Sequence, residues 1–122
     1  MTDEVRMIVG EPVLVCAPDG PPIASDRDAA DVIGQCLGGG LGWATVPVER
    51  FGDGVFTLST RLAGEIIQKF VNYRIRLAIV GDLADRLAAS KPLRDFVYES
   101  NRGTPVWFVA DLAELEARMI GR

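Results

Sequence analysis

Two carboxylates four residues apart, Asp95 and Glu99, stand in the segment KPLRDFVYESNRG (Lys91–Gly103), with Arg94, Tyr98, Asn101 and Arg102 around them. On a helix this spacing puts both carboxylates on one face. Such a pair suits acid–base work or a divalent cation. The same face carries its own counter-charges. Exposed helical charges are more often simply paired and solvated, so structural ion pairing comes first, docking of a partner second and catalysis third. A second candidate is the hydroxyl pair Ser59 and Thr60 in TLSTRLAGE. At a helix start such a hydroxyl caps the helix by accepting from an unpaired N–H. It is also a place where a phosphate is electrostatically welcome, which makes both residues candidate phosphoacceptors. A third is Asp82, which with Gly81 ends the apolar run IRLAIVG, because the carboxyl ends of parallel strands line the ligand crevice in α/β sheets.

Several chemistries are missing. The chain has no histidine, which removes imidazole bases, Ser-His and Cys-His dyads, and most zinc sites. Its two cysteines, Cys16 and Cys36, lie in apolar surroundings and read as buried free thiols. The run GGGLG (Gly38–Gly42) follows a helix and lacks the Lys-Ser/Thr of a phosphate-binding loop, so it reads as a helix stop. No metal or cofactor is expected. A net charge of −4, with only Lys69, Arg74 and Arg76 as a small basic cluster, argues against nucleic acid. The acidic, soon polar start MTDEVRMIVGEPV is unlike a signal peptide, and no apolar run nears the ~20 residues of a membrane span. A cytoplasmic protein with no membrane contact is expected.

The elements that must position these residues can be read from periodicity. At 122 residues and 48% hydrophobic, the chain 1–122 is expected to be a single domain with a real core. Val5–Val9 and Pro12–Cys16 are short β-rich runs around Gly10-Glu11, a hairpin signal. The proline-rich APDGPPIA is a loop, and Ser25-Asp26-Arg27-Asp28 opens a capped helix whose buried face is Ala29, Ala30, Val32, Ile33, Cys36 and Leu37. Trp43–Val48 is a strand with a proline, expected at an edge or kinked. Ser59–Asn72 is an amphipathic helix capped by Ser59 or Thr60, and Ile75–Gly81 a central strand. LADRLAA has helical character. Ser90 caps a helix with Pro92 in its first turn, Leu93, Phe96, Val97 and Ser100 inward, and Asn101 and Gly103 closing it in a left-handed turn. Pro105–Val109 is a buried strand, and Asp111-x-x-Glu114 opens a last helix with Leu112, Leu115, Ala117 and Met119 as its apolar positions. Trp43 and Trp107 belong in or near the core. The fold class is α/β: one mixed, mostly parallel sheet of about five strands with helices packed on it, in the order β-β-α-β-α-β-α-β-α.

The blocks LAGEIIQKFVNYRIRLAIVGD and SKPLRDFVYESNRG, with their spacing and the final helix, resemble the small bacterial proteins grouped as domain of unknown function 4180. The likeness is close over the second half and in outline over the first. A wider resemblance is to the STAS domains shared by sulfate transporters and anti-sigma-factor antagonists, which follow the same element order. Their Asp-Ser-Ser-Gly turn would fall on Leu58-Ser59-Thr60-Arg61; this chain keeps the two hydroxyls and has neither the aspartate nor the glycine. That resemblance implies a module that docks on a protein partner.

Two functional readings follow. The first is a non-enzymatic regulatory or protein-interaction module whose contact surface is Ser59, Thr60, Arg94, Asp95, Tyr98, Glu99, Asn101 and Arg102. The alternative is a small-ligand-binding domain or minor enzyme with a pocket formed by the Gly52–Ser59 loop and Asp82. The lack of histidine, of a cofactor motif and of a nucleophile–base pair favours the first. Self-association through a helix face, as a two-fold dimer, is compatible with either.

Overall fold

The computed structural model describes residues 3–52 and 54–121. Strands β1 (Glu4–Ile8) and β2 (Glu11–Val15) form an antiparallel hairpin; β3 (Trp43–Pro47), β4 (Arg76–Val80) and β5 (Val106–Val109) add in parallel, in the spatial order β1-β2-β3-β4-β5. The hairpin loop is Val9-Gly10, with φ of 51° and 77°, one residue earlier than the sequence suggests. Two successive positive φ values match the right-handed twist of the strands they join. The helices are α1 (Asp26–Gly38), α2 (Leu62–Asn72), α3 (Ala84–Ala89), α4 (Lys91–Arg102) and α5 (Leu112–Gly121). The expected α/β class and order hold, with LADRLAA forming α3.

Because each parallel strand is added on the same side, right-handed crossovers put α1, α2 and the α3–α4 pair on one face of the sheet. There Ala29, Val32, Ile33 and Cys36 of α1, Ala63, Ile66 and Phe70 of α2, and Leu93 of α4 close over Leu14, Val46, Leu77, Ile79 and Phe108. The opposite face is covered by α5 through Leu115 and Met119, over Val13, Trp43, Ala78, Trp107 and Val109. The Arg76 guanidinium lies 4.2 Å from the Trp43 ring and 4.9 Å from Trp107, and that of Arg118 4.2 Å from Trp107. Both cations extend apolar stems over the ring faces, so the tryptophans are buried although one helix covers this side. Among the described residues no helix is long and apolar enough to cross a membrane.

Several local expectations are corrected. β3 is the middle strand; Pro47 is its last residue, where the missing N–H interrupts nothing further along the ladder. Ala30 and Leu37 of α1 and Ala117 of α5 face solvent. On α5 the half-buried neighbour Arg118 packs inward instead, drawn by Trp107 and Asn101. Gly103 ends α4 at φ −93°, ψ −165°, extended and not left-handed.

Candidate functional site

The carboxyl ends of β3, β4 and β5 and the turns that follow them form one rim. After β3 the chain makes a 3₁₀ turn at Val48–Arg50, then an approach loop anchored by the buried Phe51, Val55 and Phe56, whose rings stack edge-on at 5.3 Å between Phe51 and Phe56 and 6.4 Å between Phe56 and Phe108. Asp53, within the candidate 52–59 loop, lies outside the described residues.

A second 3₁₀ turn, Leu58–Thr60, precedes α2. The two hydroxyls in it differ. The Thr60 hydroxyl faces the carbonyls of Gly54 and Thr57, each 2.8 Å away, and Oγ1 accepts from the Leu62 N–H at 3.3 Å. It is committed to the turn. The Ser59 hydroxyl is exposed and makes no hydrogen bond among the described residues. Arg61, between this turn and the helix, adopts the left-handed conformation, φ 64° and ψ 6°. The helix therefore starts at Leu62 and not at Ser59, and neither hydroxyl residue is its N-cap. Ser59 stands at the rim of a cavity of about 360 Å³ lined by Phe56 and Leu58 on one side and by Arg86, Ser90 and Leu93 of the α3–α4 corner on the other. The Arg86 guanidinium is 5.3 Å from the Phe56 ring.

A second cavity, of about 320 Å³, opens where β4 and β5 end, lined by Gly81, Asp82, Leu87, Asn101, Phe108 and Glu114 among others. Gly81 has φ 144°, and a Cβ there would meet Val48 Cγ2 at 2.8 Å, so the strand can end here only with glycine. Asp82 Oδ1 accepts from the Ala84 N–H at 2.8 Å, which starts α3. Asp82 is at the same time one of the residues lining the cavity. Neither of these two cavities is lined by both the 52–59 loop and Asp82: they have no lining residue in common, and α3 stands between them, with Arg86 and Ala89 on one and Ala84 and Leu87 on the other.

The polar face of α4 resolves into separate roles. Ser90 caps the helix, its Oγ accepting from the Leu93 N–H at 3.2 Å. Arg94 Nη1 donates to the carbonyls of Leu87 at 2.7 Å and Ala88 at 3.3 Å, satisfying the end of α3. Asp95 pairs with Lys91 at 2.8 Å, and Glu99 with Arg102 at 3.9 Å, so each carboxylate has its own exposed cation. Tyr98 is 62% exposed, with the Arg102 guanidinium 5.5 Å from its ring. Asn101 Oδ1 accepts from the Phe108 N–H at 2.7 Å and from Arg118 Nη1 at 3.2 Å. Arg94 and Asn101 hold elements together; Asp95, Tyr98, Glu99 and Arg102 are the part of the face left to a visitor.

Sequence reasoning missed Arg50. It is 4% exposed; Nη1 reaches Asp3 Oδ1 at 3.2 Å and the Ala17 carbonyl at 2.9 Å, and Nε donates to the Pro21 carbonyl at 2.9 Å. Asp3 Oδ1 also accepts from the Ala17 N–H at 2.8 Å. The carbonyls of Ala17 and Pro21, which no strand ladder takes up, need such a donor, and that need was the available signal. Beside this cluster, burial first and then the negative charge of Asp3 push the Cys16 thiol up from 9.0 to about 12; burial alone pushes Cys36 up to about 11. Both are free and buried.

Comparison with known proteins returns no match among curated proteins and none among solved structures. One family model matches, and it spans nearly the whole chain. With residues 9–119 matched, the chain belongs to the family described as Domain of unknown function (DUF4180).

Proposed function

We propose that this chain is a non-enzymatic regulatory module of STAS-like type that docks on a protein partner through the corner between the Leu58–Thr60 turn and α4. The observation that carries this reading is the backbone at Arg61. The resemblance places a glycine there, and the residue takes the left-handed conformation that glycine favours, φ 64°. Arg61 thus gives the turn the backbone that a glycine at this position would take readily. It presents Ser59 outward with a free hydroxyl, next to an apolar groove edged by Arg86. A phosphate on Ser59 would meet that guanidinium's charge and change the docking surface. Thr60 serves the fold of the turn. The exposed Asp95, Tyr98, Glu99 and Arg102 extend the surface along α4. A cytoplasmic setting belongs to the same reading, in keeping with two unpaired thiols.

The second reading, a small-ligand domain, draws on the cavity beside Asp82. At about 320 Å³ it lies at the lower end of ligand pockets. Native mass spectrometry of the protein purified gently from its own source separates the two. A phosphoryl adduct mapped to Ser59, or a co-purified protein, supports the regulatory module. A stoichiometric small molecule with neither of these transfers the weight to the Asp82 cavity.

A further inference from the structure

The two edges of the sheet differ. At β5 all four residues are buried, and the Phe108 N–H is taken by Asn101 Oδ1. At β1 the first four residues are exposed, with Val5 at 57% and Met7 at 66%. β1 pairs with β2 over five consecutive residue pairs without a bulge. Alternate main-chain N–H and C=O groups therefore point away from the sheet, and no described strand pairs with them. Neither proline nor lysine, two common edge blockers, stands in the strand.

Such an edge accepts an extended strand, and the side chains specify which. Cross-strand partners share a face, so Glu4 and Arg6 lie with Val15 and Val13 on the α5 side, while Val5 and Met7 lie with Leu14 and Pro12 on the α1 side. If β1 pairs antiparallel with β1 of a second copy, the two-fold axis must pass through a residue, because outward-pointing groups meet only outward-pointing groups. Centring on Glu4 or on Arg6 sets a charge against its own copy, which opposes pairing. Centring on Val5 sets Glu4 opposite Arg6 of the second copy, Arg6 opposite Glu4 of the second copy, and the exposed Val5 against itself. Glu4 and Arg6 already lie 3.9 Å apart within one strand, so the four side chains alternate in sign along and across the junction.

We propose that the free edge of β1 is a homodimer interface, two copies joining antiparallel about a two-fold axis at Val5 so that one sheet runs through both. This is independent of the Ser59 corner, and it involves a strand edge where the sequence suggested a helix face. The test is sedimentation velocity of the full chain over a concentration series. The wild type is expected to associate reversibly to a dimer. Arg6→Glu and Glu4→Arg are each expected to weaken it about tenfold or more, since symmetry converts two attractive pairs to repulsive ones. The double variant Glu4→Arg with Arg6→Glu is expected to restore affinity to within about threefold, because it regenerates the opposite-charge pairs. Both residues are exposed, so circular dichroism should show every variant folded. A wild type monomeric throughout, a dimer indifferent to the single reversals, or a double variant no better than the singles would overturn the proposal. So would β1 amides that become protected from exchange only with a different protein.

Discussion

Arg118 donates twice to Asn101, from Nη1 to Oδ1 at 3.2 Å and from Nη2 to the main-chain carbonyl at 2.6 Å, while the same Oδ1 takes the Phe108 N–H. One asparagine thus ties α4, β5 and α5 together and closes the far edge of the sheet. Asn101→Ala leaves the Phe108 N–H without its acceptor and should lower unfolding free energy by about 1–3 kcal/mol. Urea denaturation checks this, and Asn101→Asp, which keeps an acceptor for both donors, should cost less.

Arg50 holds the proline-rich loop and Asp3 from the inside. Arg50→Leu strands two loop carbonyls and a largely buried carboxylate, and should destabilise by about 3–5 kcal/mol. The midpoint of chemical denaturation measures it. Arg94→Ala, which removes only exposed bonds to the end of α3, should cost about 1 kcal/mol.

Three described residues other than glycine hold positive φ, Val9, Arg61 and Arg74, and the first two lie in the hairpin loop and the Ser59 turn. Val9 is β-branched at φ 51° in the hairpin loop, so Val9→Asn, giving Asn-Gly, should stabilise by about 1 kcal/mol. Arg61→Gly removes strain and returns part of it as unfolded-state entropy, for a net gain below about 1 kcal/mol. Arg61→Val should instead be destabilising. Thermal unfolding of the three variants reads the ranking.

The thiols give a pH dependence of definite sign. Cys16 and Cys36 hold their protons in the folded protein up to about 12 and 11, while in the unfolded chain they lose them near 9.0. Unfolding therefore releases protons above pH 9, so this contribution is complete below that value and is lost as pH rises toward 11 and 12. Each thiol contributes a slope of about 1.4 kcal/mol per pH unit within its window. Stability measured between pH 8 and 11 should fall less steeply in the Cys16→Ala, Cys36→Ala double variant. At pH 8 an aromatic disulfide reagent should leave both native thiols unmodified and react with both after unfolding.

The sheet, its helices and most caps were legible because each rests on a local signal: β-branched runs, helical periodicity, and Ser25, Ser90 and Asp111 before their helices. What was not legible depends on tertiary partners. The turn at Arg61 takes a left-handed conformation that its residue type does not announce. Asn101 and Arg94 look like surface polar residues until the elements they bond are brought beside them. Pro47 suggested an edge strand because its position at the end of the ladder is set by pairing with β4. The ion pairing expected of Asp95 and Glu99 is present, Glu99 with Arg102, but Asp95 takes Lys91 while Arg94 reaches the end of α3, a choice set by where the α3 carbonyls end.

The central claim is that the Ser59 corner meets a protein. A photo-crosslinking amino acid placed at position 59, and at the exposed position 116 on α5 as a control, tests it in the cell that makes the protein. The account predicts one discrete protein adduct from position 59 and none from position 116. No adduct from 59, or equal adducts from both positions, would contradict it.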